Sequence, residues 1–236
     1  VDLDPQVLAD RHTVTDPVLA DCTVFCEALL AVMEPTGSDW DAAAITATRA
    51  QWRAETDADR PGIVPLVDAL RSVLSDDAMI FSDMTQFAYV GNETYPMDRP
   101  GHWHHPSGFG TLGYALPAAI GGKVGAGNKP VISINGDSGF QYNIQELATA
   151  VELGLSLPII VWDNGKLKEI EDSMVHAQIA PNAVIARNPD FCKLAEAYGA
   201  RAASPRSIAA FKQAVTDALA ANVPTLIHIT PETASG

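Results

Sequence analysis

The chain has 236 residues, 47% of them hydrophobic and 19% charged, which supplies a sizeable core and excludes a disordered tail. Fifteen Lys and Arg against 29 Asp and Glu give a formal net charge of −14, so the chain lacks the basic face that a general nucleic-acid binder needs. No apolar run reaches the roughly 18 residues of a membrane span, and the acidic opening Val1-Asp2-Leu3-Asp4-Pro5 is unlike a secretory leader; the expectation is a soluble, cytoplasmic protein with neither nucleic-acid nor membrane partners.

The length predicts one or two domains. Cys22, Cys26 and Cys192 cannot close a disulfide set and have no zinc spacing, which predicts reduced and mostly buried thiols. The chain starts without methionine, and Val1-Asp2-Leu3 alternates like the end of a buried strand. Both features predict a piece of a longer protein.

In chain order, Asp21–Met33 carries apolar residues at helical spacing, and Thr36-Gly37-Ser38 interrupts it. Asp39–Thr56 reads as an alanine-rich helix in which Trp40 and Trp52 are expected to pack. Arg60-Pro61-Gly62 is the best boundary, and Pro65 opens a helix through Leu74. Beyond it helices alternate with short apolar runs. The strands are expected at Ala78–Phe81, Val131–Ile134, Pro158–Trp162, Arg201–Ala203 and Thr225–Ile229. The helices are expected at Gly113–Val124, Asn143–Leu153, Phe191–Tyr198 and Ile208–Ala221. In the Asn143–Leu153 helix, Ile144, Leu147, Ala148 and Val151 share one face. Such strands between helices predict an α/β fold with a doubly wound, mostly parallel sheet and helices on both faces. That domain is expected over residues 61–232, preceded over residues 1–60 by the tail of another domain and a helical connector.

Ligands of such sheets bind beyond the carboxyl ends of the strands, which directs attention to the residues after Phe81, Ile134 and Trp162. After Ile134 come Asn135-Gly136-Asp137-Ser138-Gly139, glycines that admit close backbone approach around one carboxylate. Free amides at a helix start attract phosphate. A carboxylate beside a phosphate calls for a cation between them, and Mg²⁺ accepts one or two protein oxygens plus phosphate and water. After Trp162 come Asp163-Asn164-Gly165-Lys166, with Asn164 following Asp137 by 27 residues, one helix and one strand later. The Asn164 amide oxygen and the Lys166 backbone carbonyl can then join Asp137 as ligands of the same metal.

Gly136-Asp137-Ser138, the intervening helix and strand, and Asp163-Asn164 resemble the thiamine diphosphate motif, GDG followed by NN. The block from Gly108-Phe109-Gly110-Thr111-Leu112-Gly113 to Pro117-Ala118-Ala119-Ile120-Gly121 resembles the aminopyrimidine-holding segment of the acetolactate synthase and 2-oxo-acid decarboxylase family. Ser82-Asp83-Met84-Thr85-Gln86 is similar to the family segment that touches the diphosphate, and Val1–Pro5 to the last strand of its central domain.

The resemblance implies thiamine diphosphate and Mg²⁺ as cofactors. Cofactor contacts would come from Thr85, Gln86, Gly110, Thr111, Leu112, Gly136, Asp137, Ser138, Gly139, Asn164 and Lys166, with Asp137, Asn164 and Lys166 on the metal. It gives Leu112 the part of an apolar wedge that bends the cofactor, so that its own imino nitrogen can deprotonate the thiazolium. It further implies a small-molecule 2-oxo acid as substrate. An N-terminal pyrimidine-binding domain, of this or a neighbouring subunit, would supply a glutamate that this stretch lacks. A homo-oligomer would follow, because family members place the cofactor between subunits; the stretch alone would be inactive, and FAD would concern the central domain.

Departures from the pattern are Ser138, Asp163 in place of the first Asn, and Lys166-Leu167-Lys168. Ile170 occupies the position where simple pyruvate decarboxylases carry an acid. The run Glu169-Ile170-Glu171-Asp172-Ser173-Met174 is more similar to decarboxylases of longer 2-oxo acids, such as the guanidino-oxopentanoate enzymes. Glu169 reads either as a proton donor or as a solvated acid at a helix start. Of His102, His104 and His105, only His105 is kept as an acid–base candidate against a plain surface loop, and His176 and His228 read as structural. Two alternatives to a decarboxylase or carboligase stand: a non-catalytic binding or assembly module, and a subunit of a natural split enzyme.

Overall fold

A computed structural model describes residues 1–10 and 16–235. The chain divides into two compact units, Val1–Thr46 and Ala47–Gly236. The first holds α1 (Pro5–Asp10), α2 (Cys22–Val32) and the start of α3 (Ala42–Asp59). Asp21 caps α2 by accepting the Thr23 and Val24 amides, which is why the helix starts there. No α2 residue is buried. Cys22 and Cys26 are therefore exposed, against expectation, while Cys192 is half-buried. Asp2 makes only an isolated bridge to Leu19 rather than a strand, and Val1 and Leu3 are exposed.

The second unit is a six-stranded sheet with every adjacent pair parallel. After the end of α3 follow α4 (Ile63–Val73), β1 (Met79–Ser82), α5 (Gln86–Thr94), β2 (Trp103–His104), α6 (Ala115–Ala126), β3 (Val131–Gly136), α7 (Asp137–Tyr142) and α8 (Glu146–Glu152). They are followed by β4 (Pro158–Trp162), α9 (Lys168–His176), α10 (Phe191–Ala197), β5 (Arg201–Ala203), α11 (Ile208–Leu219) and β6 (Thr225–Ile229). The strand order β2-β1-β3-β4-β6-β5 sends the chain outward on opposite sides from β1 and β3, which makes their shared boundary a switch point.

Alternate strand residues serve two cores. Ile80, Ile132, Ile134, Ile160, Ile227 and Ile229 pack with Leu66 and Leu70 of α4, Phe87 of α5 and Phe211 and Val215 of α11. Phe81, Val131, Ile159, Val161 and Leu226 face Leu116 and Ile120 of α6, Phe140 of α7, Leu147 of α8 and Phe191 of α10. Both faces of the central strands are dry, as their unbroken apolar runs require. The doubly wound α/β architecture is therefore the expected one.

Several elements differ in detail. Gly113 takes φ +84° and donates its amide to the buried Asp83 carboxylate at 2.7 Å, so α6 begins two residues later than periodicity suggests. The helix expected from Asn143 starts instead directly at Asp137 and breaks at Asn143, where φ is −133°. The chain resumes as α8, which buries Leu147 and Ala150 and leaves Ala148 exposed. Periodicity missed β2 because it is two residues of Trp and His pairing with Ile80 and Phe81; His104 stacks on Phe81 at 4.5 Å. Trp52 is 62% exposed and Trp40, in the first unit, 74%, so neither packs as expected.

Candidate functional site

The carboxyl ends of β1, β3 and β4 open into one cleft of about 230 Å³. β1 delivers Met84, Thr85 and Gln86 to its wall; β3 and the start of α7 deliver Gly136, Asp137, Ser138 and Gly139. β4 delivers Asn164 and Lys166, and the start of α9 adds Leu167, Lys168, Glu169 and Ile170. Gly110 and Leu112 enter from the loop before α6, and Tyr89 from α5. Eleven of the residues expected at the site therefore meet here, out of thirteen; Thr111 and His105 do not line the cleft.

The floor is kept free of side chains. A Cβ on Gly139 would lie 2.4 Å from Asp83 Oδ2, and one on Gly136 would lie 3.1 Å from Thr85. Gly110 has φ +62°, a left-handed turn that glycine adopts without strain. Leu112 stands half-buried as the apolar group of this wall.

Asp137, 4% exposed, accepts the Ser138 amide on Oδ1 at 2.8 Å and Asn188 Nδ2 on Oδ2 at 2.6 Å. Burial raises its carboxyl above the usual range, the Asn188 and Ser138 bonds oppose this, and the neighbouring Asp163 charge adds to the rise. Asp163 lies below the usual range: burial works against its charge, but hydrogen bonds from His228, Asn188 and the Gly165 amide outweigh it. His228 Nε2 donates to Asp163 Oδ2 at 2.9 Å.

Across the cleft, Asn164 donates to Gln86 Oε1 at 3.0 Å, and Gln86 donates to Glu169 Oε1 at 3.1 Å. Arg60 bonds both Glu169 oxygens, at 3.3 and 3.4 Å. Glu169 is thus tied into a polar chain and is not a free acid, and it sits in the first turn of α9, where negative charge is favoured. Lys166 and Lys168 do not leave two free cations in the cleft: Lys166 pairs with Glu171 at 2.9 Å and Lys168 with Asp172. Tyr89 is raised above its ordinary value by burial first and by the Glu169 and Asp83 charges next.

The Lys166 segment is fixed by Val184–Ala186. Leu167 donates to the Val184 carbonyl at 2.8 Å and Ala186 to the Gly165 carbonyl at 3.2 Å. Among the described residues no backbone amide bonds the Lys166 carbonyl, which leaves its lone pairs available. No three His, Cys, Asp or Glu side chains among the described residues converge as a metal cage. Asp137, Asn164 and Lys166 line this cleft together.

His105 lies beside β1, with Nδ1 2.9 Å from Ser82 Oγ, and burial lowers its pKa. His228 is on β6, and His176 is exposed at the end of α9. Sequence reasoning missed Asn188, Arg60, Asp83 and Tyr89. Asn188 and Arg60 reach the site from 51 and 109 residues away from the partners they bind, and no local pattern could flag them. Asp83 stood inside a recognised segment, and its signal was an acid directly after an apolar strand.

A parallel doubly wound sheet with a glycine-floored cleft at its switch point defines an α/β cofactor-binding domain. Residues 83–229 match the family model described as "Thiamine pyrophosphate enzyme, C-terminal TPP binding domain", and the chain belongs to that family. It is 39% identical over 213 residues to the probable 2-ketoarginine decarboxylase of Pseudomonas aeruginosa, covering 88% of this chain and 38% of that protein. It is 32% identical to the acetolactate synthase large subunit of Haemophilus influenzae, covering 84% of this chain and 36% of that one. Among solved structures, a thiamine diphosphate-dependent 4-hydroxybenzoylformate decarboxylase from Rhodococcus jostii superimposes with a TM-score of 0.67 at 27% identity, over 72% of this chain and 32% of the other. The chain thus spans little more than a third of the length of these two curated relatives. No helix among the described residues is long and apolar enough to cross a membrane.

Proposed function

We propose that residues 61–232 are the diphosphate-binding domain of a thiamine diphosphate- and Mg²⁺-dependent enzyme that decarboxylates a 2-oxo acid or joins the product to a second carbonyl. Residues 1–60 would be the tail of a preceding domain and a connector. The observation that carries the reading is the meeting of Asp137, Asn164 and Lys166 with Gly110, Leu112, Gly136 and Gly139 in one cleft. The residues present suit the group. Asp137 is a desolvated carboxylate whose burial calls for a cation, the glycine floor admits a diphosphate against backbone, and one hard oxygen set faces the same space.

Asp137, the Asn164 amide oxygen and the Lys166 carbonyl would hold Mg²⁺, and Thr85, Gln86, Ser138 and Gly139 would contact the diphosphate. When bound, the thiazolium accepts the electron pair released as carbon dioxide leaves a 2-oxo acid. The chain's own residues anchor and orient. Gly110 would offer a backbone carbonyl to the cofactor ring, Leu112 would supply an apolar support for it, and Leu167 would line the mouth of the cleft. Glu169, held by Arg60 and Gln86, would set the polarity of that mouth.

The 2-oxo acid, a pyrimidine-binding domain that contributes a glutamate, and a homo-oligomer in which two subunits share the cofactor complete the proposal. On this reading the stretch alone is inactive. The resemblance of Glu169–Met174 to guanidino-oxopentanoate enzymes agrees with the name of the Pseudomonas relative and favours a longer 2-oxo acid over pyruvate. Calorimetric titration of the complete protein with thiamine diphosphate tests the binding half: Mg²⁺-dependent binding that Asp137→Asn abolishes supports it, and equal binding by that variant refutes it. A screen of 2-oxo acids tests the chemistry; turnover separates an enzyme from a module that binds without reacting.

A further inference from the structure

Asn188 occupies an uncommon position. Its Nδ2 carries two hydrogens and meets two carboxylates, Asp137 Oδ2 at 2.6 Å and Asp163 Oδ1 at 2.8 Å. Its Oδ1 accepts from Gln141 Nε2 at 3.2 Å, and the same nitrogen lies 3.1 Å from the Asp137 carbonyl. A carboxylate can only accept, so the Asn188 amide orientation is fixed by its partners, donor side toward the two acids. His228 Nε2 holds the far oxygen of Asp163 at 2.9 Å. A single row therefore runs His228, Asp163, Asn188, Asp137.

The backbone that carries Asn188 is the same strip that clamps Gly165–Leu167 through Val184 and Ala186. One segment thus bonds one of the three oxygen donors assigned above, Asp137, and the two residues that flank another, Lys166. The Asp137 and Asp163 carboxylates meet at one amide nitrogen and repel each other when both are charged, and a doubly donating amide between them offsets that repulsion and fixes the torsion of both. Asp163, which departs from the usual asparagine of the motif, is satisfied on both oxygens by Asn188 and His228.

Resting on the assignment of Asp137, Asn164 and Lys166 as metal ligands, we propose that Asn188 is a positioning residue for that site. It holds the Asp137 carboxylate and the Lys166 loop in the arrangement that accepts a divalent cation. Each Asp137 oxygen has one lone-pair direction occupied, by the Ser138 amide or by Asn188, and one free. Removing the Asn188 amide frees the carboxylate to rotate and releases Asp163 toward it.

The test uses Mn²⁺ with thiamine diphosphate on the protein with every domain its gene encodes. Mn²⁺ binding is followed by electron paramagnetic resonance in wild type, Asn188→Ala, Asn188→Leu, which keeps the branched shape without the donor, and Asp137→Asn. Outer partners of metal ligands typically contribute about 10- to 100-fold in metal affinity, so both Asn188 variants should weaken Mn²⁺ by that factor and broaden or split its spectrum. The metal-free proteins should still unfold cooperatively. Should alanine leave the loop unfolded, the shape-preserving N188L carries the same test. The proposal is overturned if Asp137→Asn loses Mn²⁺ while both Asn188 variants bind it as wild type does, or if they change only the melting temperature. If wild type binds no Mn²⁺ with thiamine diphosphate, or Asp137→Asn binds it unchanged, the metal-site assignment itself falls and the positioning role with it.

Discussion

Gly139→Ala perturbs the cleft floor at one atom. The added Cβ would sit 2.4 Å from Asp83 Oδ2 and 3.2 Å from its Cγ. Asp83 cannot swing aside cheaply, because it is fully buried and accepts the Gly113 amide at 2.7 Å and the Met84 amide at 3.1 Å. Relief of the overlap breaks the Gly113 bond, and a hydrogen bond to a charged group contributes about 1.5–3 kcal/mol. Overpacking strain adds about 1–3 kcal/mol, so a loss of roughly 2.5–6 kcal/mol is expected. Urea denaturation checks this through the unfolding midpoint, since m-values of about 1–3 kcal/mol per molar turn such a loss into a shift of about one molar or more. The partner variant Asp83→Ala leaves the Gly113 amide unpaired and is destabilising alone. Combined with Gly139→Ala it removes the overlap, so the double variant should lose less than the two single losses added, by 1 kcal/mol or more. A Gly139→Ala protein within about 0.5 kcal/mol of wild type, the range usual for neutral surface changes, would refute the reasoning, as would simple additivity.

Burial raises Asp83 above its ordinary value of 3.8. The folded protein therefore holds more protons than the unfolded one in that window, and stability falls as pH rises from near the ordinary value through the folded one; Asp83→Asn should flatten that slope, as read by denaturation at several pH values. His105 shows the opposite sign. Burial lowers it below 6.5, the unfolded chain binds the extra proton, and stability is lost as pH falls through the folded value; His105→Asn should remove this loss. Leu112→Ala should weaken thiamine diphosphate binding and depress turnover severalfold with a melting temperature close to wild type, because Leu112 is only half-buried; a large melting shift would make it a packing residue instead. Arg60→Ala should release Glu169 and Gln86 and lower turnover while leaving Mn²⁺ affinity near wild type.

The fold was legible wherever local pattern and final burial agree. β3 and β4 are continuous apolar runs because both of their faces are covered, and β6 reads the same way. Pattern failed where tertiary partners decide. Asp83, not helical periodicity, sets the start of α6 by capturing the Gly113 amide. β2 exists because β1 offers it an edge. The N-terminal helices misled more: α2 buries no residue, and Trp40 and Trp52 stay exposed, so helical spacing there does not mark a packed face. At the site, the motifs placed Asp137 and Asn164 at adjacent strand ends, and β3 and β4 are indeed neighbours in register. What they could not supply was the set of residues that hold those side chains. Asn188, His228 and Arg60 act across long sequence separations, and their types, an amide, an imidazole and a guanidinium, carry no signal until the chain is folded.

The most direct measurement is anomalous diffraction from crystals of the complete protein grown with Mn²⁺ and thiamine diphosphate. The account predicts one anomalous peak bounded by Asp137, Asn164 and the Lys166 carbonyl, with the diphosphate completing its shell and Leu112 against the cofactor. A peak elsewhere, or a cofactor seated away from the strand ends with that cleft empty, would contradict it.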